Sequence, residues 1–288
     1  MARKLYITEC PRDAMQGIRT LIPTAEKVAY LNLLLQVGFD RIDAGSFVSP
    51  KAIPQMADTS EVFKQLDLRN CRSEILSIVA NLRGAEQAAD YEMVQFLGFP
   101  FSVSETFQQR NTNAGMTESL QRLEEIQNIC TRKHKKLQVY LSMAFGNPYG
   151  DPWSPEWVLQ WALKIKDLGI RHIALADTTG VSDATTISTL FSQLIPALPE
   201  IEISAHLHAL PSDVASKAKL AWTAGCNHFD TALKGLGGCP MASDALTGNM
   251  DTELLFNSLI PEGAQHQLDI HALGLAAEAA QKLFNKYH

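Results

Sequence analysis

The sequence predicts an α/β fold, a single TIM (β/α)8 barrel spanning residues 1–288, with an additional C-terminal helix in an extension that starts at about residue 262. Three observations predict it. Eight short apolar and β-branched runs alternate with longer amphipathic segments, the pattern of βα units that feed a parallel sheet. Eight is the strand number that closes a barrel. A chain of 288 residues without a linker, a low-complexity tract or a shorter internal repeat has the length that α/β barrels use as one unit.

In chain order the strands are expected at Leu5 to Glu9, Arg41 to Ala44, Ile75 to Ala80, Met93 to Leu97, Leu137 to Met143, His172 to Ala176, Glu202 to His206 and His228 to Ala232. Helices fall between them. Thr24 to Gln36 follows Pro23 and sets Val28, Leu31, Leu34 and Leu35 on one face. Ser154 to Leu168 repeats Trp157, Trp161, Ile165 and Leu168 at helical spacing, a stripe that reads as packing surface against the sheet. The tail from Leu268 to Tyr287, with Leu273, Ala277, Ala280 and Phe284, reads as the helix beyond the eighth unit.

Composition narrows the function classes. With 46% hydrophobic and 19% charged residues the chain has the makeup of a globular protein rather than a disordered one. A net charge of -6 and the lack of a basic run argue against nucleic acid as a partner. No apolar stretch reaches bilayer length, and Met1-Ala2-Arg3-Lys4 leads straight into a strand without a signal-peptide core, so the expectation is a cytoplasmic protein with no membrane partner. Five cysteines, Cys10, Cys71, Cys130, Cys226 and Cys239, with no Cys-x-x-Cys pair fit reduced thiols.

In a barrel of this class chemistry sits at the C-terminal ends of the strands. The polar residues that packing does not account for lie there: Arg12 and Asp13 after the first strand, Asp43 and Ser46 at the second, Ser142 and Asn147 at the fifth, Asp177 and Thr178 at the sixth. His206 and His208 end the seventh and, at i and i+2, point to the same side, where two imidazoles can hold one cation. Each has a plainer reading: buried histidines often pair with backbone or carboxylate, Asp177-Thr178-Thr179-Gly180 resembles a helix-capping turn, and Gly248-Asn249 an ordinary turn. Taken together they put carboxylate, imidazole, amide, thiol and guanidinium on one rim, which the plainer readings do not predict.

Pro11-Arg12-Asp13, Ser46-Phe47-Val48-Ser49-Pro50-Lys51, Gly146-Asn147-Pro148-Tyr149, Asp177-Thr178, His206-x-His208, Gly235-Leu236-Gly237-Gly238-Cys239-Pro240 and Gly248-Asn249 resemble, in order, the 3-hydroxy-3-methylglutaryl-CoA lyase family of metal-dependent barrel lyases and synthases. The Ser-Phe-Val-Ser-Pro and Gly-Leu-Gly-Gly-Cys-Pro segments are the specific ones. The resemblance implies that Asp13, His206, His208 and Asn249 bind a divalent cation, that Arg12 stabilises an enolate, that Cys239 sits on a mobile catalytic loop, and that Asp43 and Asp177 are supporting or catalytic polar groups. The chain departs from the family at Asp43, where a glutamate is usual, at Gln138, where an arginine near the substrate is common, at Ala209-Leu210, and at Ala14-Met15-Gln16-Gly17.

The implied reaction cleaves 3-hydroxy-3-methylglutaryl-CoA to acetoacetate and acetyl-CoA. It needs a proton acceptor for the tertiary hydroxyl, for which Asp13 or His206 is available, a counter-charge for the thioester enolate, and a proton for its carbon. A mixed nitrogen and oxygen ligand set suits Mg²⁺ or Mn²⁺. Cys239 is the expected proton donor, since a free thiol is mostly protonated at neutral pH; a packing cysteine is the plainer reading, which its glycine neighbours weigh against. Cys10, on the first strand, is expected to be structural. The rival functions are a Claisen-type synthase joining acetyl-CoA to a 2-oxo acid, disfavoured by His208-Ala209 and the cysteine loop, a lyase for a different 3-hydroxyacyl-CoA, and a barrel that has lost catalysis and serves only for binding. The expected partner is an acyl-CoA, and a homodimer through the terminal helix is a further expectation.

Overall fold

The computed structural model describes residues 2–237 and 248–287. Eight parallel strands close into a barrel: β1 (Tyr6–Glu9), β2 (Arg41–Ser46), β3 (Glu74–Ile78), β4 (Val94–Ser102), β5 (Lys136–Ser142), β6 (His172–Ala176), β7 (Glu202–His206) and β8 (His228–Thr231). The ring closes where β8 pairs with β1, Tyr6 opposite His228 and Glu9 opposite Thr231. The TIM-barrel fold expected from the alternating pattern is therefore the fold found. Two strands run longer than their local sequence suggests. β4 continues through Gly98 and Pro100 to Ser102, paired with β5 along its whole upper half. Gly98 is required there by crowding, because a Cβ would come within 2.6 Å of the Ile78 side chain and 3.0 Å of Tyr140.

Helices wrap the sheet. α1 (Pro11–Gln16) starts on a proline at its first turn, a position where the missing N–H costs nothing. α2 (Thr24–Val37) follows, then α3 (Thr59–Phe63), α4 (Leu82–Ala89), α5 (Glu105–Thr112) and α6 (Met116–Arg132). α7 (Pro155–Asp167), α8 (Ala184–Ala197), α9 (Val214–Thr223) and α10 (Thr252–Leu259) complete the layer. The Ser154 hydroxyl accepts the Trp157 N–H at 3.1 Å and caps α7, and the Val158, Trp161 and Ile165 face is buried as its spacing predicts.

The tail folds back as α11 (Ile270–Tyr287), which lies on α2. Its buried stripe, Leu273, Ala276, Ala277, Ala280, Leu283 and Phe284, is covered by this same chain: Phe284 meets Tyr30 edge to face at 5.9 Å, and Lys286 pairs with Glu26 at 2.8 Å. Burying each large side chain of that stripe contributes about 1.5–3 kcal/mol. Before α11, Ala264–Gln265 pairs in parallel with Arg3–Lys4 and ties the tail to the start of the chain. Among the described residues no helix is long and apolar enough to cross a membrane.

The lumen is polar at its lower end. Arg41 on β2 reaches Gln138 on β5 and Glu202 on β7, and Glu202 lies 3.3 Å from His172 and 3.5 Å from His228. Side chains on non-adjacent strands meet this way only through the barrel interior. Above this layer Leu76, Ile78, Phe96, Tyr140 and Ala174 form an apolar plug. The polar upper rim stands on top of it.

Candidate active site and cation cluster

The upper end of the barrel opens into a cavity of about 970 Å³ whose lining includes Arg12, Asp13, Ser46, Tyr140, His206 and His208. α1 brings Arg12 and Asp13 into it, so these two residues sit on a short buried helix rather than an open loop. Arg12 is the hub. Its Nε and Nη2 donate to Asp43 Oδ2 at 3.0 and 2.5 Å, and its Nη1 donates to Asp13 Oδ1 at 3.1 Å and Gln16 Oε1 at 2.8 Å. Of the five guanidinium N–H groups four are thereby engaged, and one on Nη2 is left for a ligand.

Asp13 Oδ2 accepts the side-chain amide of Asn249 at 2.6 Å. Asn249 is brought there by an antiparallel bridge to His208. One donor atom each from Asp13, His206 and His208 lies within 4.8 Å of the others. His206 Nδ1 faces Asp230 Oδ2 at 3.1 Å, which leaves Nε2 for the cluster. All four residues of the implied ligand set thus meet at one place.

Protonation follows from the surroundings. Burial by itself would raise the Asp13 pKa, but Arg12, His206 and the Asn249 amide outweigh it and hold the carboxylate below its usual range. Burial and the neighbouring His206 push His208 down to about 4, so it is a neutral imidazole with a lone pair to give. Burial opposes the charged form of His206 too, yet Asp230 more than offsets it and the pKa is raised. Asp43 is fully enclosed, and burial lifts it to about 6 against the pull of Arg12. An ionised carboxylate, a neutral imidazole and an amide around one point fit a divalent cation, and carboxylate and carbonyl donors are those of hard ions.

Asp177 is placed elsewhere. Its carboxylate accepts the Ser182 N–H and hydroxyl and the Lys217 ammonium at 3.1 Å, and Lys217 also donates to the His208 carbonyl at 2.8 Å. It braces the loop that carries His208. Asp43 and Asp177 lie beside the cluster and not within it. Gln138 points down the barrel to Arg41 and does not line the cavity, so the sequence position read as substrate-facing belongs to the lower lumen. Cys239 lies outside the described residues. Gly237, two positions before it, has φ +100 and packs so closely on the cluster that a Cβ would be 2.5 Å from Asn249 Nδ2 and 2.7 Å from the Asp13 carbonyl oxygen.

Sequence reasoning missed Asp230, which orients His206, Gln16, which bonds both Arg12 and Asp13, and Tyr140, whose ring meets His206 edge to face at 5.3 Å. A weak signal existed for Asp230, an acid inside the strand expected next to the histidine strand.

A closed parallel barrel with a cluster of ionisable groups at the carboxyl ends of the strands, around three converging cation donors, is the architecture of a TIM-barrel enzyme with a candidate metal centre. The HMGL-like family profile matches residues 5–279, and the chain belongs to that family. It is 32% identical over 279 residues to the cytoplasmic 3-hydroxy-3-methylglutaryl-CoA lyase of Rattus norvegicus, covering 96% of this chain and 80% of the rat protein. It is 30% identical over 284 residues, 98% of this chain and 93% of the other, to the 3-hydroxy-3-isohexenylglutaryl-CoA/hydroxy-methylglutaryl-CoA lyase of Pseudomonas aeruginosa. Among solved structures, an HMG-CoA lyase from Acinetobacter baumannii in complex with coenzyme A and 3-methylmalate matches with a TM-score of 0.90 at 32% identity, over 98% of this chain and 92% of that one.

Proposed function

We infer that the protein is a divalent-metal-dependent carbon-carbon lyase that cleaves 3-hydroxy-3-methylglutaryl-CoA to acetoacetate and acetyl-CoA. The observation that carries this is the meeting of Asp13, His206, His208 and Asn249 at the cavity floor beside a guanidinium with one N–H to spare. Those four residues would hold Mg²⁺ or Mn²⁺, which supplies Lewis acidity to the tertiary hydroxyl. Asp13 and His206 are the two proton acceptors the residues offer, and both are held in place: Asp13 by Arg12 and Asn249, His206 by Asp230. Arg12, fixed by Asp43 and Gln16, presents its remaining N–H to the thioester oxygen as negative charge builds there, and one such donor contributes roughly 3–4 kcal/mol. Asp43, with its raised pKa, keeps Arg12 in place. Asp177 holds the His208 segment through Lys217. Cys239 follows the glycines that abut the cluster and is assigned the proton for the acetyl carbon.

The whole chain is taken as one catalytic barrel acting in the cytoplasm on an acyl-CoA, with a homodimer through α11 requiring the face of that helix turned away from α2. A second reading, a lyase for a bulkier 3-hydroxyacyl-CoA, is favoured by the cavity volume, near the upper end of the usual range of about 300–1,000 Å³ for ligand sites.

The test is direct. With Mg²⁺ or Mn²⁺ and 3-hydroxy-3-methylglutaryl-CoA the protein should release acetoacetate and acetyl-CoA; with acetyl-CoA and a panel of 2-oxo acids it should release no free CoA. Free CoA in the second assay without acetoacetate in the first would replace the lyase by a synthase. Turnover only of 3-hydroxyacyl-CoA thioesters with larger 3-substituents would select the second reading.

A further inference from the structure

We propose that Cys10, Asp230 and His206 form a second cation site, below the cluster at the barrel mouth, for a soft divalent ion of the Zn²⁺ class. Neighbouring strands place the three side chains together. His206 ends β7, Asp230 lies in β8 opposite Thr8 of β1, and Cys10 directly follows β1, with its N–H donating to the Thr231 carbonyl at 2.8 Å. One donor atom from each lies within 4.8 Å of the other two. His206 lines the mouth cavity, and Cys10 and Asp230 do not, which sets the site beneath it.

Packing alone does not account for these groups. Asp230 is 2% exposed, and while its Oδ2 meets His206, its Oδ1 has no partner. A buried carboxylate oxygen left unpaired is costly, and a cation is the partner that would satisfy it. Asp43 Oδ1 and the Tyr140 hydroxyl are likewise buried without partners, and the carboxylates of Asp230, Asp43 and Asp13 all act on the Cys10 thiol. Among the described residues Arg12 donates to Asp43 and Asp13, and no lysine or arginine side chain donates to Asp230. The thiol itself makes only a weak contact, 3.6 Å to the Thr8 carbonyl.

Thiolate, imidazole and carboxylate are a borderline-soft set that suits a tetrahedral ion with a fourth position for water, unlike the set above it, which has no thiolate. Binding converts the thiol to thiolate, and its proton leaves to the buffer. The shared histidine gives the site a regulatory consequence, which rests on the ligand assignment made for the mouth cluster. A neutral imidazole has one lone-pair nitrogen, and an ion held through the His206 edge that faces Asp230 competes with an ion held through the opposite edge. Occupation of the lower site therefore weakens the upper one.

Cd²⁺ is the probe, because it reports a thiolate ligand by an ultraviolet charge-transfer band and needs no turnover. The full chain in excess Mg²⁺, carrying Cys239→Ser to remove the thiol assigned to proton donation, is titrated with Cd²⁺ and compared with the Cys10→Ser, Cys239→Ser double variant. The double variant should lose one equivalent of the band. Asp230→Asn in the Cys239→Ser background should keep the fold and weaken that equivalent at least about tenfold. An undiminished band in the double variant, or unchanged affinity in the Asp230→Asn protein, overturns the site. Because no substrate is present, these results stand apart from success or failure of the lyase assay.

Discussion

Arg12 shows at the scale of one residue why geometry and charge are separable. Its charge is intrinsic and is balanced by two carboxylates, Asp43 and Asp13, and its direction is set by the fork itself, since Nε and Nη2 grip one Asp43 oxygen while Nη1 spans Asp13 and Gln16. A lysine keeps the first property and loses the second. Arg12→Lys should therefore leave KM within a few-fold and lower kcat by roughly 10²- to 10³-fold, the usual loss for one donor aimed at a developing anion. Steady-state kinetics would read it, and an unchanged kcat would remove Arg12 from the enolate. The shorter Asp43, in the place of the family's glutamate, still reaches Arg12, so this departure does not break the anchor. The residues legible in the sequence were those whose polarity contradicts a packing role at a strand end: Arg12, Asp13, His206 and His208. The roles of Asp230 and Tyr140 were not legible, because a polar group inside a strand looks the same in sequence whether it faces the lumen or the helices, and only the closed ring decides which.

At the scale of elements, the site depends on a close contact between chain segments far apart in sequence. The stretch ending at Gly237 lies on Asn249 and on the backbone of Asp13, and only a residue without Cβ fits. Its φ of +100 adds to the demand, because L side chains avoid that region at a cost of about 1–2 kcal/mol. Gly237→Ala should push the Asn249 amide off Asp13 and lower affinity for Mn²⁺ by at least about tenfold, in line with loss of a partner that orients ligands. Titration calorimetry with Mn²⁺ would measure it; wild-type affinity in that variant would show that Asn249 is not held by this contact. Strand positions were well predicted for β6 and β7 because their apolar runs are bounded by polar residues on both sides. β4 was cut short in the sequence because Gly98 and Pro100 usually mark interruption, whereas here pairing with β5 and crowding from Ile78 and Tyr140 override local preference.

Across the whole molecule, ionisable groups occupy both faces of the barrel wall, and Glu9 is one that couples the sheet to the helix layer. It is fully buried on β1, where its two oxygens accept the Leu233 N–H at 2.7 Å and the hydroxyls of Thr252 at 2.6 Å and Thr231 at 3.3 Å. These bonds join the first strand to the last and to the start of α10. Burial dominates, and despite the three hydrogen bonds the pKa is raised from 4.5 to about 8. The native fold thus binds a proton on Glu9 that the unfolded chain gives up near pH 4.5. The stabilisation from this proton is fully present below pH 4.5 and is lost progressively as pH rises through about 8, on the order of a few kcal/mol in all. Glutamine reproduces the protonated form, with a carbonyl for Leu233 and an amide for the threonines, and does not titrate. Glu9→Gln should accordingly match the wild type in thermal stability near pH 5 and exceed it increasingly from pH 6 to 9. A constant difference in unfolding midpoint across that range would mean that Glu9 keeps its proton, or lacks it, in folded and unfolded chain alike.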